Sequence, residues 1–416
     1  MEEENNETSK ASEPSHKTPG EAFDSLRRLF PKMRVVDEKE FRELSCEQEY
    51  AEFEEGAAVL GEDGLPERLF LSLYESLSGF ALKQLKMVLA GEDMVEDLGP
   101  AIVELAGQLS GLKELRLRRL DLTEFPAELL ALENLELLDL SVNELTTLPN
   151  GISRLSKLRE LVLTDNYLTE LGDGVEELKE LELVDLTTNE LEELPPGLFT
   201  LPKLRELSLS ENKLKVLPEE LGGLEALESL WLEDNLLEAL PPSLGELARL
   251  RVLSLAGNGL SELPVELGQL GALEELWLNQ NQMETLPVEL GELLKLKTLN
   301  LGENRLKELP VELGTLKKLE ELVLDNNQLS SLPGTLCGLG RLKVLSLNRN
   351  PLETLPVLVA GLGRLQALHL NDTGLHQLPA FIGTLRELRQ LSLRNNYIKR
   401  LPEEVEALPE LEIEMN

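Results

Sequence analysis

The residue types that do covalent or acid–base chemistry are few here and badly spaced for it. Of the three histidines, His16 stands in a polar N-terminal stretch, while His369 and His376 are seven residues apart with no third donor near them. A zinc site needs three or four converging ligands, so these read as surface histidines. Cys46 and Cys337 form no spacing pattern. No phosphate-cradling G-x-x-x-x-G-K-[ST] loop, G-x-S-x-G elbow or H-E-x-x-H pair occurs. Carboxylates abound, but as charge spread over a surface rather than as a paired acid and base. The chain is expected to be no enzyme and to carry no metal or cofactor. What remains is the chemistry of recognition. The only tryptophans, Trp231 in "LESLWLEDN" and Trp277 in "LEELWLNQN", lie 46 residues apart inside matching stretches. Tryptophan is among the side chains most enriched where binding energy concentrates.

The stretches match because the chain repeats. From residue 111 onward asparagine recurs every 23 residues, from Asn143 to Asn350 and again at Asn396, with Thr373 as the one exception. Around each runs L-x-x-L-x-L-x-x-N-x-L-x-x-L-P, which gives 13 units if the first, with Leu120 at the asparagine place, is counted. L-x-L alternates with period two, so it is a short strand with its leucines turned inward. The asparagine amide is placed to satisfy backbone groups where the chain turns in. Leu–Pro ends the turn in extended geometry. The segment beyond it, such as "PVELGELLKL", spaces Leu290, Leu293 and Leu296 for a short helix or 3₁₀ turn. Each unit is one coil of a solenoid and needs its neighbours to bury its leucines.

Bulk properties narrow the partners. The formal net charge of −37 excludes nucleic acid, whose phosphates demand Lys and Arg, and anionic membrane surfaces. It favours a basic protein partner. The absence of paired cysteines points to a reducing compartment, and we expect a cytoplasmic monomer. The start "MEEENNETSKASEPSHKT" has no apolar stretch of a signal peptide, and no apolar run is long enough to span a membrane.

Before the repeats, residues 1–19 read as a disordered acidic tail and 20–64 as poorly ordered or short helices. Residues 65–110 read as a helical N-terminal cap, with Phe70, Leu73, Tyr74, Leu77, Ala81, Leu85 and Val88 on one face; a separate helical interaction module is the alternative. At the other end "LEIEMN" begins one more strand, with Glu412 and Glu414 as charges that discourage edge pairing.

The 23-residue unit with L-P-x-x-[LI]-G-x-L resembles the Ras-group leucine-rich repeats, a group that includes plant intracellular Ras-group proteins and the Scribble and Erbin repeat domains. The resemblance covers residues 111–416. It implies an α/β solenoid: a leucine-rich repeat horseshoe with a parallel concave β-sheet and short helical or 3₁₀ convex segments. It further implies a non-enzymatic protein-binding scaffold in intracellular signalling, often with a small GTPase or phosphatase subunit as partner. A regulator of such an enzyme, and an immune or effector-type sensor with an N-terminal output module, are the alternative functions.

On that sheet the residue between the last two leucines faces out. Trp231, Ser254 and Trp277 are consecutive in this row. Parallel strands lie about 4.8 Å apart, so the indoles stand roughly 10 Å apart across a unit that offers Ser254, Ala256 and Gly257. This predicts a notch with aromatic walls and a small-residue floor, flanked by Glu206, Glu228, Glu233, Asp234, Glu275, Asn279 and Asn300. Acids continue around it at Glu211, Glu274, Glu303, Glu320, Glu321 and Asp325. Arg116, Arg118 and Arg119 begin the face, and Lys343, Arg349, Arg389 and Arg394 end it. An aromatic notch in an acidic belt predicts a partner that presents Lys or Arg around an apolar anchor.

Overall fold

The computed structural model describes residues 113–415 except Leu120 and Asp173, together with four more N-terminal backbone strands, Met33–Val36, Ala58–Gly61, Arg68–Tyr74 and Gln84–Ala90. The tail 1–19, the stretch 20–64 and the cap 65–110 otherwise lie outside the described residues. Within the expected cap the last two strands pair antiparallel, Phe70 opposite Val88, so the backbone there is extended where the sequence suggests a helix. Both stretches also alternate apolar residues at every second position (Leu69, Leu71, Leu73; Leu85, Met87, Leu89), a pattern that suits a strand as well.

The chain divides into two units, residues 1–120 with 126–138, and residues 121–125 with 139–416. In the first, the strand Glu114–Arg116 and the 3₁₀ turn Ala127–Ala131 bury Leu115, Leu117 and Leu129. The second unit holds twelve consecutive three-residue strands, from Glu160–Val162 to Glu412–Glu414, each parallel to the next in one sheet. Register steps by one repeat per strand: Leu207, Leu230, Leu253 and Leu276 are successive partners. The last strand, expected at "LEIEMN", pairs Ile413 with Leu391.

The L-x-L leucines are buried almost completely, Leu230, Leu232, Leu276 and Leu278 at 0 % exposure. Each is worth about 1.5–3 kcal/mol of burial, and stacking makes one continuous core of them. The polar part of that core is the asparagine ladder. Asn281 Nδ2 donates to Leu255 O at 2.9 Å and Leu278 O at 3.2 Å, and its Oδ1 accepts the Leu260 N–H at 3.1 Å. One side chain thus closes its own turn and ties it to the previous coil. The ladder is interrupted at Thr373. Its hydroxyl faces Leu370 O at 2.9 Å and Asn396 Oδ1 of the next coil at 3.0 Å, but its side chain makes no bond to the previous coil, and Leu352 N–H turns to Asn350 O instead. Pro351, which has no N–H to give to the preceding coil, sits in the same turn.

Except at Leu401–Pro402, where a short α-helix Glu403–Glu406 follows, the Leu–Pro step that ends a coil's turn leads into a 3₁₀ turn, for example Val265–Gln269 and Val288–Glu292. Its glycine is required by packing. A Cβ on Gly291 would lie 2.6 Å from Glu312 O of the next coil, and one on Gly268 2.5 Å from Glu289 O. The residue just before the ladder position is left-handed in successive repeats, with φ between 51° and 67° from Asp234 to Arg349.

Candidate functional site

Trp231 and Trp277 end the strands Ser229–Trp231 and Glu275–Trp277, and the strand Val252–Ser254 lies between them. Ser254 is the backbone partner of both. Both indoles are half-buried. Ser254, expected as an open floor, is only 1 % exposed. Ser346 and Ser392, at the same place in later coils and with no tryptophan beside them, are buried as well, so the row itself buries a small side chain. The feature is an aromatic shelf more than a slot. Ala256 and Gly257, at its edge, are half-buried and carry the only small open surface beside it.

Two polar atoms of this shelf have no hydrogen-bond partner although they are buried: the Trp277 Nε1 donor and the Asn279 Oδ1 acceptor. They belong to residues two apart in the chain, Trp277 at the end of its strand and Asn279 just beyond it. An unpaired buried donor or acceptor costs about 1–3 kcal/mol, so the shelf holds unsatisfied polar capacity. Asn300, one strand on, turns its Oδ1 to the Gly302 N–H at 3.1 Å.

The acids sort into two groups. Glu228 is 3.9 Å from Arg205, Glu320 is 2.6 Å from Lys343, and Glu274 bridges Arg251 at 3.1 Å and Lys297. The Lys297 hydrogen bond, opposed by partial desolvation and helped by the Arg251 hydrogen bond, lowers the Glu274 carboxyl below its ordinary pKa. Lys343 does the same for Glu320. These charges are neutralised locally. Glu233 accepts the Ser210 hydroxyl. Glu206 and Asp234 are exposed and Glu275 half-buried, with no cation in ion-pair range among the described residues. These three form the negative surplus around the shelf.

Further along, the structure shows a second ladder that the repeat pattern did not reveal. Asp325 Oδ1 accepts the Asn348 N–H at 2.8 Å, Asn348 Oδ1 accepts the Asn371 N–H at 2.8 Å, and Asn371 Oδ1 accepts the Arg394 N–H at 2.7 Å. Ser346 Oγ also donates to Asp325, at 2.6 Å. Asp325, expected in the acidic belt, is thus spent on its neighbours. The signal was present as D, N, N, R at one position of four successive repeats. Among the described residues no cluster of three or more His, Cys, Asp or Glu is placed to hold a metal, and no helix is long and apolar enough to cross a membrane.

A coil of 23 residues, a one-sheet parallel stack and an asparagine ladder define a leucine-rich repeat solenoid, and the comparisons agree. The leucine rich repeat family model matches residues 110–168, 179–237, 294–352 and 317–375, and a second leucine-rich repeat model matches 249–270. The chain belongs to the leucine-rich repeat family. It is similar to a leucine-rich repeat protein of Leptospira interrogans, with 34 % identity over 80 % of this chain and 90 % of that one, and a TM-score of 0.69. It is also similar to the plant peptide hormone receptor RGFR1, solved in complex with RGF2, at 29 % identity over 74 % of this chain and a TM-score of 0.61; the match spans only 55 % of that receptor. An internalin of Listeria monocytogenes shares the fold at 23 % identity and TM-score 0.67, over 76 % of this chain and 94 % of that one. No curated protein matches the chain significantly.

Proposed function

We propose that this chain is a protein-binding scaffold whose partner docks on the sheet face over Trp231 and Trp277. The observation that carries this is the pair of half-buried indoles flanking one buried serine, with unpaired Glu206, Asp234 and Glu275 around them. Half-buried tryptophan gives a partner a large rigid apolar surface, and surplus acid steers a basic one towards it. The resemblance of the 23-residue L-P-x-x-[LI]-G-x-L unit to Ras-group repeats supports the finer reading of a cytoplasmic signalling scaffold that engages a small GTPase or a phosphatase subunit. A solved relative, RGFR1, is bound to RGF2, which is consistent with ligand capture by this fold.

The test is affinity capture from lysate with the wild-type chain and with Trp231→Ala/Trp277→Ala, followed by mass spectrometry. We expect one protein to be retained by wild type and lost by the double variant while the thermal midpoint stays nearly unchanged. Equal capture by a folded double variant would overturn the site. Recovery of a GTPase or phosphatase subunit supports the finer reading.

A further inference from the structure

Several strands away from the tryptophans a trough of about 320 Å³ opens in the later repeats. Its floor is the second ladder, Asp325, Asn348, Asn371 and Arg394. Its rim is the left-handed row, in which Glu303, Asn326, Arg349, Asp372 and Asn395 follow one another. No apolar side chain lines it, whereas sites for drug-like ligands are mostly apolar. Its occupant must be polar over its whole surface.

Charge selects further. Glu303, Asp325 and Asp372 against Arg349 and Arg394 give a formal 2 − 3 = −1. Arg394 also lies 3.7 Å from Glu414. This is no field for a phosphate or a carboxylate. The groups left over are mixed. Asn371 spends its oxygen on the Arg394 N–H, which leaves Nδ2 as a donor in a fixed orientation. Arg349 offers more donors, and Asp372 and Asn326 offer acceptors, on adjacent coils about 4.8 Å apart. Alternating donors and acceptors at that spacing match hydroxyls, each of which is both.

An aromatic pair that is not part of the trough's lining has one member, Tyr397, that follows the last rim residue closely in the chain. Tyr397 is 65 % exposed and stacks on His376, with ring centroids 5.0 Å apart and planes 20° apart. It is two residues from Asn395 on the rim, so their Cα atoms are within about 7 Å. The electron-rich ring face attracts positively polarised C–H groups, and a pyranose presents one such C–H face with hydroxyls around its edge. We propose that this trough, with Tyr397 at its end, is a binding site for a neutral mono- or disaccharide, free or displayed on a glycan. Arg349, Asn371 and Asp372 bond the hydroxyls and Tyr397 takes the ring face.

The experiment is saturation-transfer NMR on the full chain with maltose, cellobiose, lactose and N,N′-diacetylchitobiose, then titration calorimetry of any that respond. At least one sugar should show transfer. Its affinity should fall about tenfold or more in Arg349→Gly, chosen because glycine suits φ 55° at that position, and in Tyr397→Ala. It should be unchanged in Trp231→Ala/Trp277→Ala. Binding of the same sugar coupled to albumin assigns the source to a displayed glycan, and binding of the free sugar alone to a soluble saccharide. No transfer from any of the sugars, equal affinity in both trough variants while folded, or tighter binding of inorganic phosphate than of sugar would overturn the proposal.

Discussion

Asp234 reaches over Gly257 of the next coil, so that a Cβ built on Gly257 would lie 2.1 Å from Asp234 Oδ1. Gly257 is also the one glycine among the left-handed positions from Asp234 to Arg349, with φ 67°. Two effects therefore oppose a side chain there, the left-handed backbone at about 1–2 kcal/mol and displacement of a carboxylate. Gly257→Ala should destabilise the protein by about 1–3 kcal/mol in urea unfolding. Combining it with Asp234→Ala should relieve the steric part, and a double-mutant cycle with zero coupling would refute the contact.

The same backbone position predicts a gain elsewhere. Val142 is β-branched and sits at φ 58°, a conformation that branched residues resist. Val142→Gly should stabilise the chain by about 1 kcal/mol, because the relief of left-handed strain outweighs the entropy that glycine loses. The check is the urea midpoint at unchanged m-value.

Most of the fold was legible because it rests on short-range necessity repeated. Leu276, Leu278 and Asn281 recur as types since each coil solves the same backbone problem, and the strands, turns and ladder follow. The Trp231 and Trp277 row was legible from period two alone. The burial of Ser254 was not, since period-two alternation says which way a side chain points and not how deep a small one sits; Ser346 and Ser392 in the same row are buried as well. Asp325 shows the same limit. As a letter it is an acid, and only the positions of Ser346 and Asn348 make it part of a ladder. The strands at Arg68–Tyr74 and Gln84–Ala90 fall where the apolar pattern fits two periods equally well, so the sequence alone does not decide between them.

The ladder itself makes a graded prediction. Asn281 is 7 % exposed and satisfies Leu260 N–H, Leu255 O and Leu278 O. Asn281→Ala leaves these groups buried without a partner, at about 3 kcal/mol or more in total. Asn396 makes the same bonds to Leu375, Leu370 and Leu393 but is half-buried, so water can replace it. Asn396→Ala should cost about 1 kcal/mol. Equal losses in calorimetric melting would show that burial does not set the cost.

The acidic surplus should govern how fast a partner arrives. Glu206→Lys and Glu275→Lys reverse charges that have no local cation, whereas Glu228→Lys disturbs one already facing Arg205 at 3.9 Å. For the captured partner, the first two together should slow association about tenfold at low salt and leave dissociation nearly unchanged. The difference should shrink above physiological ionic strength as the Debye length falls below about 8 Å. Stopped-flow or surface-based rates at two salt concentrations decide it, and a salt-independent change would argue for direct contact in place of steering.

Glu274 gives the pH dependence. Its carboxyl is held below the ordinary value of 4.5, first by the Lys297 hydrogen bond and then by Arg251. A depressed folded-state pKa means that the unfolded chain binds the proton more readily, so the contribution is full above about pH 4.5 and is lost as pH falls through the lower folded value. Glu274 is 21 % exposed, but Arg251 and Lys297 are 55 % and 49 % exposed, so screening keeps the contribution within about 1 kcal/mol. Wild type should therefore exceed Glu274→Gln in stability at pH 7, and the two should converge towards pH 3. Glu182 and Glu320 are lowered in the same sense by Arg159 and Lys343, so wild type itself should weaken over this range. Urea titrations at both pH values test the sign directly: a gap between wild type and Glu274→Gln that widens on acidification would mean that the carboxyl is raised and that the bridge between three coils does not hold in solution.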